Sequence, residues 1–214
     1  MILRFGDPTS GGFFDTEALL EEKLKLGVLS ARRKPFQDAP TPAGNPTAAI
    51  ALLRLHAYTN DPKYRGKAED TLEVFAGVAE QFGIYAGTYG IAATWLSHPH
   101  TQVTVIGKDD QAQDLLKAAT ARFALNRSMI HLTDSEAVSL NLPPVLAQTI
   151  PQFPALKEKK SVAIVCTDLV CHPAVEKPSE LLALLQEVGP EVRLRRKLPM
   201  ENNSDNNPPA SGGL

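Results

Sequence analysis

The sequence predicts a mixed α and α/β chain, with helical hairpins over about residues 30–98 and a small three-stranded α/β unit over about residues 100–190. Three observations carry this expectation. Two amphipathic segments, each opened by a proline, stand back to back around Asn60-Asp61-Pro62. A β-branched run, a capped helical stretch and a second apolar run then follow in the order strand, helix, strand, which is the βαβ pattern of a parallel sheet. Hydrophobic residues make up 43% of the 214 positions. No run of them approaches the ~18 consecutive positions that a membrane span requires, so they are available to fill a core.

The elements can be justified in order. Gly11-Gly12-Phe13-Phe14 is a glycine turn followed by aromatics, and nothing upstream of it reads as long enough to pair with or cover them. Glu17 to Leu26 reads as helical or irregular. Residues 30–44 hold three prolines, which remove backbone donors and bias their predecessors towards extended geometry, so no regular element is expected there. Asn45-Pro46 reads as a helix cap followed by a first-turn proline. The helix it opens carries Ala48, Ala49, Leu52, Leu53 and Leu55 at near-helical spacing. Asn60-Asp61-Pro62 repeats the arrangement and starts a second helix, with Tyr64, Ala68, Leu72, Phe75, Val78 and Phe82 on one face. These two helices form an αα-hairpin, and a third helical stretch runs from Tyr85 to Leu96.

The character changes at His98-Pro99-His100. Val103 to Gly107 reads as a strand, and Asp109 or Asp110 caps a helix towards Phe123. Met129 to Leu132 and Ser161 to Cys166 supply two more strands, and Ser179 opens a last helix that ends before Gly189-Pro190. From Met200 onward the chain is polar and apolar-poor, a composition expected to be disordered.

Charge and composition exclude several functions. A formal net charge of -2 does not suit a nucleic-acid binder, which ordinarily carries a basic patch. No secretory signal is visible at the N-terminus. Two cysteines are too few for a disulfide scaffold, so a cytoplasmic location is the default expectation.

Candidate sites follow from residue type. Lys34 to Asn45 is a stiff polar loop leading into a helix N-terminus, and such a loop can line a small-molecule cleft. Lys34, Asp38 and Asn45 are its candidate ligand contacts. Asp38 has no partner carboxylate, whereas a glycosidase needs two facing each other, so no catalytic residue is nominated. Cys166 and Cys171, with His172 beside them, admit three readings. They could be a redox pair, although the Cys-x-x-Cys spacing that lowers a thiol pKa is absent. They could be part of a zinc set completed by His98 or His100. They could also be two buried hydrophobes, and no metal or cofactor is assigned. Gly107-Lys108-Asp109-Asp110 holds too few glycines and too much negative charge for a phosphate cradle, so capping is expected. His56 and His131 read as core imidazoles. Trp95, Tyr85 and Tyr89 read as core aromatics, with a sugar-stacking platform as the alternative.

Gly11 to Thr16, Lys34 to Asn45, Ala48 to Leu55, Val105-Ile106-Gly107 and Val165 to Pro173 together resemble blocks of the thioredoxin domain-containing proteins related to spermatogenesis-associated protein 20. The resemblance implies a six-hairpin α/α toroid like those of glycosidases and sugar epimerases, preceded by a thioredoxin-like domain. On this resemblance residues 1–98 are the terminal part of the toroid and residues 99–190 a small α/β unit associated with it. Residues 191–214 form the disordered tail. The chain would then correspond only to the carboxy-terminal part of such a protein, without the thioredoxin domain. Ala43 and Pro46 stand where the family usually has serine, which removes two hydroxyls from the loop.

The function expected is involvement of the toroid in carbohydrate binding or metabolism, with no independent catalysis by this chain. If the intact family member is catalytic, an epimerase-like or glycosidase-like activity is expected there. The alternative is a redox or metal-binding module built on Cys166 and Cys171. Expected partners are a sugar or polyol ligand and a companion chain covering exposed helix faces, with no nucleic acid and no membrane.

Overall fold

The computed structural model describes residues 1–17, 31–142, 144–157, 160–168 and 170–188. The helical or irregular stretch read after Glu17 and the tail beyond residue 190 lie outside these residues. The chain is mixed, as expected, with a layer of helices followed by a small sheet flanked by helices.

A four-residue helix α1 (Ile2–Phe5) begins the chain. Asp7 Oδ1 then accepts from the N–H groups of Thr9 and Ser10, and Gly11 and Gly12, both at positive φ, reverse the direction. Gly6 consequently pairs with Phe13 in an antiparallel bridge, and the N–H of Phe14 donates to the carbonyl of Phe5. The first six residues therefore do cover the aromatic segment, contrary to expectation, because a tight reversal needs little length. Phe13 is buried in the helical core.

Helices α2 (Gly44–Thr59) and α3 (Pro62–Ala76) form the expected hairpin. Its turn works as the residues dictate. Asn60 takes the left-handed conformation that closes α2, and its N–H donates to the carbonyl of His56. Asp61 accepts from the N–H of Lys63, and Pro62 occupies the first turn, where its missing donor costs nothing. At the start of α2 the structure differs from the sequence reading. Ala43 is the cap residue, and Asn45 lies within the first turn with its side chain directed elsewhere. Helix α3 ends at Ala76 rather than Phe82. The chain passes through Gly77 into a 3₁₀ stretch, Ala79–Ala86, broken at Gly83, which has positive φ. Helix α4 (Gly87–Ser97) completes the layer. Phe13, Ala49, Leu52, Ala68, Leu72 and Trp95 fill the space between these helices.

Strand β1 (Thr101–Ile106), helix α5 (Asp110–Thr120) and strand β2 (Arg127–Leu132) form the expected parallel crossover. Asp109 caps α5 by accepting from the N–H of Ala112. Helices α6 (Pro144–Ala147) and α7 (Pro154–Lys157) lie in the long connection that follows. Strand β3 (Val162–Thr167) then runs antiparallel to β1. The three-stranded expectation needs correction: a two-residue strand β4 (Val170–Cys171) pairs antiparallel with β3, giving the order β2-β1-β3-β4. Two residues are too few to show an alternating pattern, so β4 leaves no signal in the sequence. Helix α8 (Pro178–Glu187) begins at Pro178 after Lys177, placing Ser179 inside the helix rather than at its cap.

The period-two alternation of the strands sorts their side chains onto two faces. Val103, Val105, Ala163 and Val165 meet α5 and α8 through Leu115 and Leu181. Ile106, Val162, Ile164 and Cys166 meet Leu142, Leu146 and Ile150 from the connection. Gln102 lies opposite Cys166 in the register, and both line a cavity shared with Leu53 and His56 of α2.

Candidate functional site

The three loop residues nominated from sequence each have a partner inside the fold. Asn45 is 1% exposed. Its Oδ1 accepts from the N–H of Phe13 at 2.7 Å, and its Nδ2 donates to the carbonyls of Phe13 and Pro35, each at 2.9 Å. Lys34 Nζ donates to the carbonyl of Gly11 at 2.7 Å and pairs with Asp7 Oδ2 at 2.7 Å. The hydrogen bond from Lys34, together with backbone N–H donation from Thr9, holds the Asp7 carboxyl down at about 2. Asp38 accepts from the N–H of Ala43 through Oδ1 and from that of Thr88 through Oδ2, tying the loop to the start of α4. Burial pushes its carboxyl upward, but the donors from Thr88 and Ala43 outweigh this and hold it below its ordinary range. Lys34 and Asn45 thus meet around Gly11–Phe13, whereas Asp38 serves a separate junction.

Cys166 and Cys171 form a disulfide. The β3–β4 pairing sets them directly opposite each other. The reading of two free buried thiols is corrected here, and the zinc reading fails in this state because neither sulfur is a free thiolate. Among the described residues, no group of three or more His, Cys, Asp or Glu side chains is placed to hold a metal ion. Asp109 serves as a cap and accepts from Ser161 Oγ at 2.6 Å, so the Gly107–Asp110 stretch is occupied by its own contacts.

A concavity of mixed polar and apolar lining lies elsewhere, at the seam between the helical layer and the sheet. It has a volume of about 270 Å³, and its polar lining includes His56, Asn60, Arg65, His98, His100 and Asp168. Leu53, Trp95, Leu146 and Cys166 supply apolar wall. Each polar group reaches the seam for a local reason. His56 and Asn60 are the last-turn and closing residues of α2. Arg65 extends from the first turns of α3, with its guanidinium donating to the carbonyl of Leu96. His98 ends α4, and His100 immediately precedes β1.

Hydrogen bonding fixes the imidazole tautomers. His56 Nδ1 lies 3.1 Å from the carbonyl of Asp61, and His98 Nδ1 lies 3.0 Å from the carbonyl of Thr94. A carbonyl only accepts, so both rings carry a proton on Nδ1. Ser128 Oγ donates to Gln102 Oε1 and is 2.7 Å from His100 Nε2. The serine proton is already committed, so His100 donates from Nε2 and its buried Nδ1 has no hydrogen-bond partner. Burial lowers the pKa of His100 to about 4; Asp168 opposes the shift, and Arg54 adds to it. The rings of His56, His98 and His100 thus share the seam with the Asp168 carboxylate and the guanidinium of Arg65. Trp95 is 6% exposed, with the Arg54 guanidinium over its ring and His100 beside it, and so serves as packed wall.

Sequence reasoning named His98 and His100 only as borrowed zinc ligands and His56 only as a core residue. The seam unites three distant parts of the chain, and no local pattern reports that. No helix among the described residues is long and apolar enough to cross a membrane.

No family model matches the chain, and no solved structure matches it. Among curated proteins it is similar to spermatogenesis-associated protein 20 of Homo sapiens, at 28% identity over 186 residues, covering 85% of this chain and 22% of that protein. It is likewise similar to spermatogenesis-associated protein 20 of Mus musculus, at 27% identity over 188 residues, covering 86% of this chain and 22% of that protein. The similarity supports a relation to that family. The chain spans about a fifth of the length of these relatives.

Proposed function

We propose that this chain is a non-catalytic ligand-binding part of a larger assembly, taking a sugar or related polyol in the pocket at the helix–sheet seam. The observation that carries this reading is the gathering of the His56 and His98 rings, the Asp168 carboxylate, Asn60 and Arg65 around one cavity. A molecule bearing several hydroxyl groups, each both donor and acceptor, complements such a set. An acyl or glycosyl transfer would need a nucleophile or paired carboxylates, whereas Asp168 is the pocket's one carboxylate among the described residues.

The reading assigns Lys34, Asp38 and Asn45 the role of holding the loop in place. It also keeps residues 1–98 as the terminal part of a toroid in a longer protein. Support for a companion surface comes from Ile84, 87% exposed, and its exposed neighbours Val78 and Tyr85 along the 3₁₀ stretch. The redox alternative draws on the Cys166–Cys171 disulfide.

Calorimetric titration with a panel of monosaccharides and polyols tests the proposal. Saturable binding that weakens in His98→Ala and Arg65→Ala variants is expected. Flat titrations for this chain and for a full-length relative would sink it.

A further inference from the structure

We infer that the Cys166–Cys171 disulfide is a redox latch on this pocket, holding Asp168 in the wall so that reduction loosens the ligand site. The inference rests on the pocket reading above. Cys166 and Asp168 both line the cavity. Strand β4 is only two residues long, at the edge of the sheet, and its pairs are Cys166 with Cys171 and Thr167 with Val170. Asp168 leaves β3 with φ of 44°, a left-handed conformation that aspartate tolerates at turns. Two hydrogen bonds tie it to His100. The N–H of Asp168 donates to the carbonyl of His100 at 3.2 Å, and the N–H of His100 donates to Asp168 Oδ1 at 3.1 Å.

Farther along, the N–H of His172 donates to the carbonyl of Val165, and Val175 bridges Ala163. Those contacts keep the returning segment on the sheet whether or not the sulfurs are joined. What the disulfide alone closes covalently is the tip that carries Asp168. A two-pair ladder is too short to be stable by itself, so opening the bond frees the tip while the rest of the sheet stays.

The chemistry balances with a dithiol as reductant. Cys171 is partly exposed at the sheet edge, whereas Cys166 is buried. A thiolate attacks Cys171 Sγ, the Sγ–Sγ bond breaks, and the Cys166 sulfur leaves with the electron pair and takes up a proton. The second thiol of the reductant then displaces Cys171 as a thiol and closes its own disulfide. Overall the protein gains two hydrogens and the dithiol loses two.

The test uses the whole chain, oxidised and after dithiothreitol, with the mass gain of about 2 Da confirming reduction. Amide hydrogen exchange reads the latch without any ligand. On reduction, exchange at His100 and Asp168 is expected to accelerate about tenfold or more, with Val103 and Val105 unchanged. A Cys166→Ser, Cys171→Ser double variant should reproduce the reduced profile. Equal exchange at His100 and Asp168 in the two states would overturn the latch. Titration with D-glucose and sorbitol then reads the site, and affinity about fivefold weaker after reduction is expected. If the exchange contrast is present but neither state binds either probe, the ligand reading fails and the latch stands. If both states bind equally and exchange equally, the latch fails and the ligand reading stands.

Discussion

Replacing Asn45 with alanine separates a structural staple from a ligand contact. The side chain makes three hydrogen bonds, two to Phe13 and one to Pro35, and is almost wholly shielded from water. Truncation leaves the N–H of Phe13 and two carbonyls without these partners. A buried unsatisfied group costs about 1–3 kcal/mol, and a carbonyl with a second lone pair is more easily rescued by water than an N–H. The sum is roughly 3–5 kcal/mol of lost stability. In a chain of this size each 1 kcal/mol moves Tm by about 2–4 °C, so a fall of at least ~6 °C is expected by calorimetry. Asn45→Asp should fare no better, because an oxygen would replace the Nδ2 donor between two carbonyls. A change in stability below ~0.5 kcal/mol, of the size seen at ordinary surface positions, would refute the reasoning. So would a variant with unchanged Tm and altered sugar binding.

Two further predictions concern the seam and the sheet. The folded-state pKa of His100, about 4, lies below the ordinary value near 6.5, so the unfolded chain takes up the proton first. Its contribution is full above pH ~6.5 and is lost as pH falls towards about 4, by roughly 3 kcal/mol in all. Urea unfolding at pH 7 and pH 4.5 should show this loss for the wild type and a smaller one for His100→Gln; parallel losses would contradict it. At Gly107, φ is 127° and an added Cβ would lie 2.0 Å from Ser161 Oγ. Gly107→Ala should therefore cost about 2–4 kcal/mol, with partial recovery on adding Ser161→Gly, measured as a double-mutant cycle.

The parts of the fold visible in the sequence were those set by neighbours in the chain. Asn60, Asp61 and Pro62 each act through backbone conformation or a cap within two residues, so the hairpin turn could be read directly. The β1–α5–β2 crossover was legible for the same reason, from Asp109 and the apolar periods on either side. Features set by pairing across a turn were not. The Gly6–Phe13 bridge depends on a reversal built from Asp7 and two positive-φ glycines, and β4 depends on the register that brings Cys171 opposite Cys166. The α3 boundary was missed because Val78 and Phe82 continue the apolar spacing after Gly77 has already ended the helix. The loop residues Lys34, Asp38 and Asn45 have the chemistry of ligand contacts, but their hydrogen bonds are spent on Gly11, Phe13, Pro35, Ala43 and Thr88. The seam pocket draws on α2, α3, α4, the start of β1 and the β3–β4 turn, and only tertiary packing brings those together.

An NMR titration of the isotope-labelled oxidised chain with D-glucose and sorbitol tests the central claim most directly. Saturable shift changes confined to His56, Asn60, Arg65, His98, His100 and Asp168 are predicted. Shifts centred instead on Lys34, Asp38 and Asn45, or none at either place, would contradict the account.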